Sequence, residues 1–152
     1  VRLLLLAVGK AKPGPELELT RQYLRRLAPP PLVKEVEERR PLASAQLKAR
    51  EAELLLAAVP EGAMVVALDE RGVEMKSPAF ADRLGRWRDD GIGDVAFLIG
   101  GADGHGEAVR DRADLLLSLG RMTWPHMLVR ALVAEQLWRA TAILAGHPYH
   151  RV

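Results

Sequence analysis

The chain has 152 residues, enough for one domain with its own core and no need of a disulfide or metal staple. Hydrophobic residues make up 49% and charged residues 28%, which excludes wholesale disorder; cysteine is absent, which removes thiolate metal sites and cysteine nucleophiles. Net charge is only +2, with 17 Arg against 5 Lys, so there is no polybasic tail, and a mildly basic globule remains compatible with nucleic acid.

An apolar run from Leu3 to Val8 comes first and reads as a buried strand. It is shorter than the about 7–15 apolar residues of a secretion signal. No run approaches the roughly 20 residues of a membrane span, so a cytoplasmic protein is expected. Gly9, Pro13 and Gly14 end the run. Glu16 to Leu27 reads as a helix, with Leu17, Tyr23, Leu24 and Leu27 on one side and Arg21, Arg25 and Arg26 outside. After Pro29 to Pro31 comes a weaker strand, Leu32 to Val36, then an Ala- and Leu-rich helix from Leu42 to Val59. Ala63 to Leu68 is a second buried run, closed by Asp69 and the turn Glu70-Arg71-Gly72. Ser77-Pro78 reads as a capping hydroxyl with proline in the first turn of a helix that runs to Asp90. Val95 to Ile99 is a third run, followed by the glycine-rich stretch Gly100 to Gly106. A short helix from Glu107 to Asp114, a run from Leu115 to Leu119, a long helix from Pro125 to Ala145 and a tail from His147 complete the sequence.

Short buried strands alternating with helices imply one α/β domain over residues 1–152, a mostly parallel sheet with helices on both faces. In such sheets ligands lie beyond the carboxyl ends of the strands. Three such ends stand out: Leu68-Asp69, Gly100 to Gly106, and Leu119 to Trp124. The glycines suit either bare N–H groups turned to a ligand or a tight strand–helix turn. Neither a dinucleotide fingerprint nor a Walker loop follows the first strand. His147 and His150 are the only close histidine pair, and no H-E-x-x-H or G-x-S-x-G occurs, so no metal and no serine triad are expected. The last helix is apolar all round, which points to a subunit interface. Glu135 and Arg139 can pair along it. His126 and Arg130, also four apart, either share an anion site at its N-terminus or act as a cap and a solvated side chain.

Leu98-Ile99-Gly100-Gly101-Ala102-Asp103-Gly104, then Met122-Thr123-Trp124-Pro125-His126, Leu128-Val129-Arg130, Glu135-Gln136-Leu137-Trp138-Arg139-Ala140 and His147-Pro148-Tyr149-His150-Arg151 form an ordered set. Together they resemble the ribosomal RNA large subunit methyltransferase H family, small members of the SPOUT methyltransferases, over essentially the whole chain. The resemblance implies a C-terminal trefoil knot, which periodicity alone never suggests. It also implies a homodimer and transfer of a methyl group from S-adenosylmethionine to N3 of a pseudouridine in 23S ribosomal RNA, on the assembled ribosome. It places the cofactor at Leu68, Gly100, Leu119, Gly120, Arg121, Met122, Thr123 and Trp124. It places catalysis at His126, Arg130, Glu135, Tyr149, His150 and Arg151.

Four positions depart from the family pattern: Arg121 where a small residue is expected, Trp124 for a smaller apolar residue, Trp138 for Tyr, and Val1 for Met. The imide N3–H must lose its proton for the nitrogen to attack. His126 and His150 are candidate bases, with Tyr149 as a hydrogen-bonding partner. Arg130 and Arg151 would hold phosphate or the deprotonated imide. The tail is expected to serve the neighbouring subunit's cofactor site. A non-catalytic ribosome-associated binder, its pocket filled by Arg121 or Trp124, is the rival from another class. A general α/β enzyme acting on small molecules is a third reading.

Overall fold

Strands and helices alternate along residues 1–150, the part that the computed structural model describes, with side chains for residues 1–149. In chain order they are β1 (Arg2–Val8), α1 (Pro15–Leu24), β2 (Leu32–Val36), α2 (Ser44–Ala57), β3 (Met64–Glu74), α3 (Ser77–Asp89), β4 (Asp94–Ile99), α4 (Glu107–Arg112), β5 (Leu115–Ser118) and α5 (His126–Ala145); a 3₁₀ turn (Pro148–His150) follows. The strands form one parallel sheet in the order β2-β1-β4-β3-β5, as the alternating pattern predicts.

The continuous apolar runs have a direct cause: both faces of the sheet are covered. Leu5, Ala7, Phe97 and Ile99 point to a core shared with α3 and α5, through Phe80, Leu84, Trp87, Val133 and Leu137. Leu4, Leu6, Val8, Ala96 and Leu98 alternate with them and meet α2 and α4 through Ala52, Leu55 and Val109. Phe80 and Phe97 lie edge to face with centroids 6.1 Å apart. β2 is an edge strand whose first four residues are exposed, which explains its weak apolar pattern.

Several boundaries differ from the sequence expectation. α1 stops at Leu24 rather than Leu27, because the N–H groups of Arg26 and Leu27 bond three residues back in a tighter turn. Leu27 is still buried, outside the helix. α4 ends at Arg112 because Asp114 leaves it to clamp Val65: Val65 N–H donates to the carboxylate and Asp114 N–H to the Val65 carbonyl, both at 2.8 Å. Ser77 does not cap α3. Lys76 holds the cap position, and the Ser77 hydroxyl instead donates to Gln136 Oε1 at 2.8 Å, tying α3 to α5. The largest difference is in β3. The run expected to close at Asp69 continues to Glu74 after an irregularity between Leu68 and Val73, and both those residues align with Leu117 of β5.

Candidate functional site

The sheet order puts the carboxyl ends of β4, β3 and β5 side by side, and a cleft of about 490 Å³ opens above them. That lies within the about 300–1,000 Å³ of small-molecule sites. Leu68, Gly100, Leu119, Gly120, Met122, Thr123 and Trp124 all line it, so three segments singled out along the sequence converge on one space. Arg121 is exposed and outside that lining.

Each wall is held locally. At the irregularity inside β3, the Asp69 carboxylate accepts from Arg71 N–H at 2.9 Å. After β4, Gly104 N–H donates to the Gly101 carbonyl at 3.0 Å, so the glycine stretch is a tight turn as well as a cleft wall. A Cβ on Gly100 would lie 3.0 Å from the Gly104 carbonyl carbon, so a side chain there would press on the turn. After β5, the Ser118 hydroxyl donates to the Gly120 carbonyl and accepts from Gly120 N–H, and Gly120 turns at φ 118. Met122 and Trp124 stand at the mouth, 77% and 41% exposed.

His105 has a place that the glycine spacing gave no reason to expect. It is buried on the cleft wall, with Nε2 3.0 Å from the Leu98 carbonyl oxygen. Arg110 donates to the His105 carbonyl at 3.1 Å and lies 3.9 Å from the Asp69 carboxylate, so it joins two walls of the cleft. Burial pushes the His105 imidazole below its ordinary range, against the opposing pull of the Leu98 carbonyl and Asp69. The unfolded chain therefore takes up a proton that the folded chain resists. Stability is complete above about pH 6.5 and falls as pH drops from there towards the lower folded value. Urea denaturation between about pH 7.5 and 5.5 is expected to show this slope, and His105→Gln, which keeps a donor for Leu98, to flatten it.

His126 lines the same cleft, beside Val129. Arg130, one turn further along α5, does not join it there. Its guanidinium is buried and donates through Nη1 to Glu35, and through Nη2 to the carbonyls of Val8 at 3.0 Å and Gly9 at 2.7 Å. It lines a second cavity of about 430 Å³ between α1, β2 and the start of α5. Neither reading of the pair holds: Glu35 reaches Arg130 from 95 residues away and takes it from a shared anion site, Arg130 is buried rather than solvated, and no side chain caps α5. Burial works to raise the Glu35 pKa, but the Ala11 N–H and the Arg130 guanidinium outweigh it and hold the carboxyl below its ordinary value.

Glu135 and Arg139 pair as their spacing predicts. Tyr149 joins them: its hydroxyl donates to Glu135 Oε1 at 3.1 Å, and its ring packs on Trp138 with centroids 5.7 Å apart, beneath the Arg26 and Arg139 guanidinium groups. Burial, a hydrogen bond with Tyr23 and the Glu135 charge push its phenol up to about 12, so it stays a donor. Glu135 follows His126 by nine residues on one helix, a rise of about 13 Å. The tail cluster and the cleft are therefore apart within one protomer. The His150 side chain and Arg151 lie outside the described residues. Among those described, no group of three or more acidic or histidine side chains is placed for a metal, and no helix is long and apolar enough to cross a membrane.

The chain is similar to known proteins along its length. The family model described as "Predicted SPOUT methyltransferase" matches residues 1–150. Proteins named ribosomal RNA large subunit methyltransferase H are 76% identical in Paramagnetospirillum magneticum, 62% in Rhodospirillum centenum and 57% in Rhodospirillum rubrum, each over 151 residues and 99% of both chains.

Proposed function

The chain belongs to the SPOUT methyltransferase family, and from that premise we propose that it methylates N3 of a pseudouridine in 23S ribosomal RNA, with S-adenosylmethionine as donor, on the assembled ribosome in the cytoplasm. The observation that carries this reading is 76% identity, over 99% of both chains, to a protein named for methylation of large-subunit ribosomal RNA.

The residues of the cleft suit the cofactor. Leu68, Ile99, Leu119 and Val129 offer apolar surface to an adenine ring, and the missing Cβ of Gly100 keeps backbone at the wall. Asp69 and Glu70 on the same lining oppose a cationic centre, while Lys48 and Arg71 suit a carboxylate. When bound, the cofactor supplies a methyl group already activated on a sulfonium. The protein's share is alignment and the handling of one proton. His126, on the wall, is the base within reach of the cleft; Tyr149, kept protonated, donates a hydrogen bond. Arg130 acts as a brace that fixes the first turn of α5 on the end of β1, since Glu35 already neutralises its charge.

The reading includes a homodimer with composite sites, the cleft from one protomer and Tyr149, His150 and Arg151 from the other. What supports it is the distance along α5 between His126 and the Tyr149 cluster. It also includes a C-terminal trefoil knot, which rests on the family match alone. The non-catalytic rival needs a filled pocket, and the open cleft with Arg121 outside its lining favours the enzyme.

The test is transfer of labelled methyl from S-adenosylmethionine to ribosomes lacking the modification, with isolated large subunits and naked RNA alongside. Label is expected in large-subunit RNA when whole ribosomes are supplied. No label in any sample, from a folded protein that binds the cofactor, would overturn the reading.

A further inference from the structure

Resting on that reading, we propose that the second cavity, between α1, β2 and the start of α5, seats an unpaired nucleotide of the substrate RNA, a near neighbour of the one methylated. The mechanism above gives this cavity no ligand. Its walls are apolar: Leu5, Leu17, Leu24, Val33 and Met127. Its charged lining is Lys10, Lys12, Arg21 and Arg130 against Glu16 and Glu35, four positive groups and two negative, a net of +2. Apolar surface under a cationic rim suits a base with its phosphate, since stacking and charge recognise single strands together.

One detail favours an occupant. Lys12 is exposed at the mouth and makes no ion pair among the described residues, so its charge is available to a phosphate. The position suits the substrate too. The first turn of α5 divides the two cavities, His126 and Val129 lining one and Met127 and Arg130 the other. A strand with one nucleotide facing the cleft therefore needs to cross only that turn to place a neighbour in the second cavity. The partner's tail is the competing occupant, and its Arg151 is cationic where the rim is already positive.

Two variants separate charge from space, measured as steady-state methyl transfer to ribosomes at several salt concentrations. Lys12→Ala/Arg21→Ala removes rim charge: KM for ribosomes is expected to rise about tenfold and the salt slope to fall by about two. Val33→Trp, on the exposed face of edge strand β2, fills the cavity with every charge intact and is expected to raise KM by a similar factor. Both variants are expected to keep kcat and cofactor affinity within about twofold. A Val33→Trp protein with normal KM overturns the proposal. So does one that sediments as a monomer, which would give the cavity to a subunit contact. The parent protein is run in parallel: if it transfers no methyl at all, the enzymatic reading fails and this inference with it, whereas transfer by parent and variants alike sinks only the inference.

Discussion

Removing residues 148–152 is expected to abolish methyl transfer while the protein stays a folded dimer that binds S-adenosylmethionine. Among the described residues the tail contributes no lining to the cleft of its own protomer: Tyr149 sits at the far half of α5, bonded to Glu135 and packed on Trp138. Its loss should leave cofactor affinity within about twofold and cut kcat by about 10²–10⁴, the worth of a positioned proton-handling group. A mixed dimer makes the result specific. One protomer lacks the tail, and the other has its cleft blocked by Gly100→Trp, which meets Gly104 at once. Each homodimer should be inactive, and the mixture should regain one working site per dimer. Full activity in the tail-less homodimer, by the same kinetics, sinks the composite-site reading.

The largest loss of stability is expected from Gly72→Ala. The second part of β3 returns to β5 at Val73, and Gly72 passes so close that a Cβ would lie 2.5 Å from the Leu116 carbonyl oxygen and 2.8 Å from Leu117 N. Those atoms belong to a strand held in the sheet and have no side-chain freedom with which to give way. Overpacking of this kind costs about 3 kcal/mol, a fall in melting temperature of about 6–12 °C for a chain of this size. Cofactor affinity should weaken as well, because Asp69, Glu70 and Arg71 on the displaced turn line the cleft. Gly93→Ala is the control: a Cβ there meets nothing within 4 Å, and its backbone is not in the positive-φ region. Thermal unfolding that is equal for the two variants would show that β3 does not depend on this approach.

The buried layers were legible because β1, β3, β4 and β5 each carry their own apolar run, and a run needs no distant partner to be seen. β4 and α3 accordingly fall within a residue of their expected ends. The cleft was legible for a related reason: a parallel sheet sends its strand ends to one edge, so Leu68, Gly100 and Leu119 had to meet. What stayed hidden depends on pairs far apart in sequence. Nothing beside Arg130 announces Glu35, and nothing beside Ser77 announces Gln136, so a brace read as an anion ligand and an interhelix tie read as a cap. The end of β3 was missed because Asp69-Glu70-Arg71-Gly72 carries turn residues, while pairing with β5 resumes beyond them. His105 was overlooked among glycines, although a lone histidine between Gly104 and Gly106 was the one side chain there able to tie the turn to Leu98.

Among the described residues β2 is attached to the sheet by one ladder, through β1; beyond it, Glu35 accepts from Arg130 and from Ala11 N–H, and Val36 packs against the apolar layer on the α2 side. An edge strand held this way can open while disturbing only the margin of one apolar layer, at Val36. Its amides should therefore exchange with deuterium long before those of β4, which is hydrogen-bonded on both sides by β1 and β3. Such an opening event would take Glu35 from Arg130 and leave α5 tied there only to the carbonyls of Val8 and Gly9. The molecule thus has a fast-breathing margin beside a slow centre, and exchange rates along β2 would report directly on how firmly α5 is anchored.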